Sequence, residues 1–201
     1  MTTSTTSSTR RTRDVRTRGR AADVVERILQ ATAEQLSEVG FAALRVDDIA
    51  ARSGVNKTTI YRRWPTRASL VDAAIRRSKP PAGVARGSTL KEEALAIARD
   101  WLAFHESPMG RGIVRVIQTE VGHPELEPIV RELRADGRRG RIAMVQRAID
   151  RGELPPDTDA ALIADMIFSP LTTRLVFNVE RVDEQMIART VDIVVAGLKA
   201  V

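Results

Sequence analysis

Lys57, Thr58, Thr59, Tyr61, Arg62 and Arg63 set long cationic donors, methyl-bearing hydroxyls and a phenol side by side, and no acidic residue interrupts them. Such groups can donate to phosphate oxygens and guanine edges, lay a methyl against thymine, and reach sugar–phosphate oxygens. They form no catalytic set. The chain has no GxxxxGK[ST], GxSxG or HExxH pattern and no GxGxxG after a strand, so no enzymatic activity is expected. Cysteine is absent and the two histidines, His105 and His123, are too far apart to bind metal from one helix face, so neither metal nor cofactor is expected. The adjacent acids Asp47-Asp48 and Glu92-Glu93 read as helix-start charge or solvated surface.

A solvated basic helix face would carry the same cations, so the surrounding apolar pattern has to decide. Val46, Ile49, Ala50, Val55, Ile60 and Trp64 are spaced to lock two short helices across a turn containing Gly54. This is helix-turn-helix geometry: the small Ala50 permits close helix approach and Gly54 a backbone angle that other residues resist. With Ile60 and Trp64 turned inward, the basic and hydroxyl side chains turn outward. Ahead of the motif, Val24, Val25, Ile28, Leu29, Thr32, Ala33 and Leu36 recur at three- and four-residue spacing and predict a helix from about Ala21, with Gly40 as its stop. Three short helical segments follow, Asp47–Ser53, Thr58–Trp64 and Arg67–Arg77, separated by Gly54-Val55-Asn56 and Pro65-Thr66.

The 201 residues are 43% apolar but only 3% aromatic, a balance that favours helices packed by aliphatic side chains. Residues 1–78 carry 15 basic and 8 acidic residues, net +7; residues 79–201 carry 17 and 18, net −1. A polyanionic partner for the N-terminal part follows, although charge alone does not separate DNA, RNA and an anionic membrane. Residues 1–20 read as a disordered basic arm whose Arg10, Arg11, Arg13, Arg16, Arg18 and Arg20 could follow a minor groove or simply solubilise the chain. The expected domains are this arm, a DNA-binding domain at 21–78, a Pro/Gly-rich linker at 79–88 and a helical domain at 89–201. No apolar run approaches the roughly 18 residues that span a bilayer, and no leader is evident, so a cytoplasmic chain without a membrane partner is expected.

The run Gly40-Phe41, Val46-Asp47-Asp48-Ile49-Ala50, Ser53-Gly54-Val55, Thr59-Ile60-Tyr61, Trp64-Pro65, Arg67 and Leu70 resembles the DNA-binding signature of the TetR family of transcriptional regulators, over Val24 to Ala74. The resemblance implies an all-α fold: an N-terminal helix-turn-helix three-helix domain, then a helical-bundle domain that binds a small ligand and dimerises. It implies a homodimer on a pseudopalindromic double-stranded DNA operator, repression in preference to activation, and release by a small-molecule effector. Position by position, it implies base-edge contact for Lys57, Thr58, Tyr61 and Arg62, and phosphate contact for Thr59, Tyr61, Arg63 and Arg67. The last stands where the family usually has Lys. Arg45 departs from the usual Thr or Ser; it can still reach phosphate but cannot cap a helix. Without operator specificity the same basic head would serve a general nucleic-acid-associated protein.

Helical patterns continue at about Thr89–Glu106, Gly110–Val121, Pro124–Arg151, Thr158–Glu180 and Asp183–Leu198, with Gly137 and Gly140 weakening the third. Trp101, Phe104, His105, Met109, Ile113, Ile117, Met144, Met166, Phe168 and Thr172 are large, flexible or polar on otherwise apolar helices, which makes them candidates to line the pocket that the resemblance implies. Pro170 is expected to kink its helix. The last two helices carry stripes that could be ordinary core; the resemblance assigns Ile163, Ile167, Leu171 and Leu175, with Ile187, Val191, Val194 and Leu198, to a dimer seam.

Overall fold

The computed structural model describes residues 8–79, 87–119 and 123–198, with side chains from Ala21 onward. Among these residues there are α-helices and one short π-helix but no strand, the all-α architecture expected. The chain divides into two compact units at Arg77 and Ser78.

In the first unit, α1 (Ser8–Val39) starts well ahead of the expected Ala21. Of the expected arm, residues 1–7 lie outside the described residues, and the backbone from Ser8 on is helical. Arg, six times in residues 8–20, is a good helix former, and adding residues to an existing helix avoids the cost of a new nucleus. The inward face of α1 is Ile28, Leu29, Ala31, Thr32, Ala33, Gln35 and Leu36. The Thr32 hydroxyl, fully enclosed, donates to the Ile28 carbonyl at 2.8 Å, which satisfies it inside the core. Gly40, at φ 77, ends the helix with its N–H on the Leu36 carbonyl.

Helix α2 (Val46–Ser53) packs on α1 through Val46 and Ile49. Its C-cap is Gly54 at φ 66, a left-handed angle at which any side chain would be strained. There Arg27 of α1 donates to the Ser53 carbonyl at 3.0 Å and latches the turn to the first helix. Helix α3 (Lys57–Arg63) follows, and α4 (Arg67–Ser78) closes the unit by burying Leu70, Val71, Ala74 and Ile75.

The second unit contains α5 (Leu90–Glu106), α6 (Pro108–Thr119), α7 (Glu127–Asp150), α8 (Ala160–Thr172) and α9 (Glu184–Leu198). Residues 80–86 of the expected linker and 120–122 lie outside the described residues. Helix α8 packs against α7 and α9, and α5 against α6, α7 and α9. The α5–α6 turn is tight enough that a Cβ on Gly110 would collide with the Phe104 carbonyl, so only glycine fits. Gly137 and Gly140 do not interrupt α7, whose helix is continuous through them. Glu93 of α5, wholly enclosed, is held by Arg147 at 2.9 Å and Arg151 at 2.6 Å, pinning α5 to α7. Asp159 caps α8 by accepting from the N–H groups of Ala161 and Leu162. After Pro170 the backbone widens into a π-helical turn, Thr173–Phe177, because the missing proline donor breaks the regular ladder.

One further expectation fails here. Ala160–Phe177 is an 18-residue stretch of mean hydropathy 1.4, long and apolar enough to cross a membrane, whereas no such run was expected. Its two charges, Asp165 and Arg174, interrupt the apolar run without lowering its mean enough, and they pair with Arg138 and Glu180. Of the residues expected at a dimer seam, Ile163, Ile167, Leu171, Ile187, Val191 and Val194 are buried in the core of their own chain, and Leu175 and Leu198 are half-buried against that core. Side chains already enclosed have no surface to give a second copy. The large apolar groups facing outward in this unit are Leu162 and Met166 on α8, 55% and 48% exposed, Phe177 and Val179 after it, 67% and 75% exposed, and Ile193 on α9, 66% exposed.

Candidate nucleic-acid interface

Helix α3 has seven residues, too few to persist in water alone, so its position depends on its ends and its anchor. Asn56 caps the N-terminus, its side chain accepting from the Thr58 N–H at 2.9 Å. The anchor is Ile60, fully buried, with Trp64 9% exposed at the C-terminal end. The Trp64 N–H closes the last turn on the Ile60 carbonyl at 2.8 Å. With those two side chains inside, Lys57, Thr58, Tyr61, Arg62 and Arg63 are exposed on one continuous surface and Thr59 is half-buried at its edge. Tyr61, 47% exposed, is one of the large apolar-bodied side chains that the chain leaves in solvent.

The predicted contact residues are not equivalent. Lys57 reaches back to Asp47 of α2 at 3.0 Å, but both partners are more than half exposed, so the pair is weak and a phosphate can compete for the ammonium. Arg63 lies over the Trp64 ring, 5.5 Å from its centroid, which steadies its stem beside the anchor. Arg45 is the extended N-cap residue of α2 and makes no side-chain cap bond, leaving its exposed guanidinium directed elsewhere.

Arg67 is different. Its Nη1 donates to the carbonyls of Leu44 at 3.1 Å, Phe41 at 3.3 Å and Ala42 at 3.4 Å, and the guanidinium sits 4.8 Å from the centre of the Phe41 ring. Its head is occupied in clamping the α1–α2 loop, the segment that sets where α2 begins. An open groove of about 490 Å³ runs beside α3, floored by Val24, Val25 and Ile28 of α1 and edged by Thr59, Arg62 and Arg63.

Two positioning residues escaped the sequence reading, the cap Asn56 and the latch Arg27. Asn directly before a helical run is a cap signal in its own right. Nothing local marks Arg27, because its partner is 26 residues away.

In the second unit, the candidate pocket residues separate. Trp101, Phe104 and His105 form one cluster: the imidazole lies 4.3 Å from the Trp101 ring and edge-on to Phe104 at 5.3 Å. Met109, Ile113, Met144 and Phe168 are buried, while Ile117 and Thr172 are half-buried. Met166 does not join them; it stands on the outward face of α8. The His105 Nδ1 lies 2.7 Å from the Trp101 carbonyl. Burial pushes the imidazole pKa below its ordinary value, and nearby Arg141 adds to this, against the opposing effect of the carbonyl bond.

Known proteins carry the same two parts. Residues 28–74 match the family model described as bacterial regulatory proteins of the tetR family, and residues 84–194 match the tetracyclin repressor-like C-terminal domain. An uncharacterized HTH-type transcriptional regulator of Mycobacterium tuberculosis is 31% identical over 157 residues, covering 75% of this chain and 73% of the relative. The crystal structure of a TetR family transcription regulator is 26% identical with a TM-score of 0.63, covering 87% of this chain and 98% of that one. The transcriptional regulator FadR from Bacillus subtilis, solved in complex with stearoyl-CoA, shares the fold at 20% identity and a TM-score of 0.65, covering 86% of this chain and 98% of its own.

Proposed function

This chain belongs to the TetR family of helix-turn-helix transcriptional regulators, and we propose that within it the protein is a dimeric repressor released from a pseudopalindromic operator by a small-molecule effector. The observation that carries the reading is the presentation of α3: Ile60 and Trp64 inside, Lys57, Thr58, Tyr61, Arg62 and Arg63 outside, in a unit that also holds the excess positive charge. In this reading α3 enters the major groove, where Lys57, Thr58, Tyr61 and Arg62 meet base edges and Arg45, Thr59, Tyr61 and Arg63 meet phosphates. Arg67 serves the site indirectly, by holding the loop that places α2. Residues 21–78 form the reading head, 1–20 an accessory basic arm, 79–88 the linker and 89–201 the effector and dimer domain.

The dimer in this reading uses Leu162, Met166 and Ile193, the apolar groups that α8 and α9 turn to solvent. A C-terminal family described as repressor-like supports repression, and a fold neighbour solved with an acyl-CoA supports an effector held among these helices. An effector that prefers a head spacing unsuited to DNA then releases the operator by population shift.

Selection of bound duplexes from a random DNA pool by the full chain tests the reading. The expected product is two inverted half-sites with centres about one helical turn, roughly 34 Å, or slightly more apart, preferred over random DNA by about 10³ or more. Enriched sequences without two-fold symmetry would remove the dimer from the proposal. No enrichment at all would leave a general nucleic-acid binder and overturn it.

A further inference from the structure

Helix α7 is rich in arginines, and most are matched. Arg138 holds Asp165 at 2.8 Å, Arg139 holds Asp136, and Arg147 shares Glu93 with Arg151, the residue just past the helix. Arg141 holds no carboxylate among the described residues. Its Nε is wholly enclosed and without a hydrogen-bond partner, and its guanidinium lies 5.0 Å from the centre of the buried Phe168 ring. The Nη1 lies 3.5 Å from where a side chain on Gly137 would begin, so the head folds back along its own helix. Half-burying a guanidinium with no hydrogen-bonded carboxylate costs solvation, and neither a ring face nor Asp165, which acts on it at a distance and is held by Arg138, returns all of that loss. A cation kept at that cost beside a cluster of aromatic side chains marks a place where an anion is received.

The neighbours narrow the class of anion. His105 of α5 lies within electrostatic reach of Arg141 and is held neutral by burial, while Arg138 and Asp165, also within reach, pair with each other, so Arg141 is the cation left to receive an anion. The hydrogen on His105 Nδ1 points at the Trp101 carbonyl, which leaves Nε2 as an acceptor and adds no second cation. Trp101, Phe104 and Phe168 supply apolar surface, suited to the body of a molecule whose charge is confined to one end.

We propose that Arg141 is the anion-receiving residue of the effector site, and that the effector is a small apolar molecule bearing a single carboxylate, received between α5, α7 and α8. A planar guanidinium matches a carboxylate through two parallel hydrogen bonds, and Nε is one of the donors such a pair uses. The proposal rests on the effector reading given above but can fail without it.

The test takes the full chain with a panel of sodium carboxylates, hexanoate to decanoate and benzoate, phenylacetate and naphthoate, each beside its uncharged primary amide. Binding is read as a rise in Tm and, separately, as release of the selected operator duplex. At least one carboxylate should raise Tm and release DNA while its amide does neither. Arg141→Gln should weaken that carboxylate by about 10- to 100-fold. Without ligand, Arg141→Met should leave Tm unchanged or higher, because it removes a half-buried charge that no carboxylate hydrogen-bonds. The proposal is overturned if amides bind as well as acids, if Arg141→Gln keeps full affinity, if no carboxylate binds, or if Arg141→Met lowers Tm by several degrees. Release of DNA by the amides alone would sink the carboxylate and leave effector control standing.

Discussion

Replacing Arg67 by Ala separates a residue that touches DNA from one that positions the residues that do. Its Nη1 serves three carbonyls at 3.1–3.4 Å, more acceptors than its hydrogens can satisfy well, so the set is worth about 1 kcal/mol in total. The half-buried stacking on Phe41, 4.8 Å from the ring centre, adds about 0.5–1 kcal/mol. A loss of about 2 kcal/mol from a unit of this size corresponds to a fall in its unfolding temperature of the order of 10 °C. Lys in place of Arg keeps the charge but lacks the planar fork, and about half the loss is expected. Scanning calorimetry of the full chain measures the first quantity. Operator binding titrated against salt at 10 °C, where the variant remains folded, measures the second. A clamp leaves the slope of log K against log salt unchanged, whereas a lost phosphate contact reduces it by about 0.9 per contact. Unaltered thermal unfolding, or a slope reduced by that amount, would refute the assignment.

Arg62→Ala should relax sequence preference and cost about 1–3 kcal/mol on the selected operator, while Arg63→Ala weakens all duplexes alike; competition binding across operator variants distinguishes them, and equal losses throughout would contradict the division. Leu162→Glu combined with Ile193→Glu puts charge on the outward apolar face of α8 and α9, so the protein should elute as a monomer in size-exclusion chromatography with its far-ultraviolet spectrum intact; an unchanged dimer would move the interface elsewhere. Burial depresses the His105 pKa in the folded chain, so the unfolded chain binds that proton more readily. Stability should therefore decline as pH falls from about 6.5 towards the depressed folded value, and His105→Gln should flatten that part of the Tm-against-pH curve. A wild-type curve identical to the variant's would show that His105 stays neutral for no energetic reason.

The head was legible because its signals are local. Val46, Ile49, Ile60 and Trp64 lie within 19 residues, and their spacing together with Gly54 admits one way of turning two short helices against each other. Boundaries in that region agree with expectation to within a residue or two: α3 runs Lys57–Arg63 against Thr58–Trp64, and α4 runs Arg67–Ser78 against Arg67–Arg77. The apolar stripe that marks the first helix begins only near Ala21, so the sequence alone places the start of α1 late. A polar, arginine-rich continuation carries no stripe, and only propagation from the ordered part extends it.

Periodicity alone specified that α8 and α9 are helices with apolar faces, but it could not rank one face above another. Helix α8 is apolar on two sides, Ile163, Ile167 and Leu171 on one and Leu162 and Met166 on the other. Which side fills the protomer and which remains for a partner depends on the angles at which α7 and α9 close on it, and those are set by packing over the whole unit. The same holds for charge: the sequence shows an arginine at 67 and another at 141, yet one head is spent on carbonyls some 25 residues away and the other is left without a hydrogen-bonded carboxylate. Residue type and short-range spacing decided the helices and the reading surface; the partners of each buried or clamped cation were decided by contacts that exist only once distant helices meet.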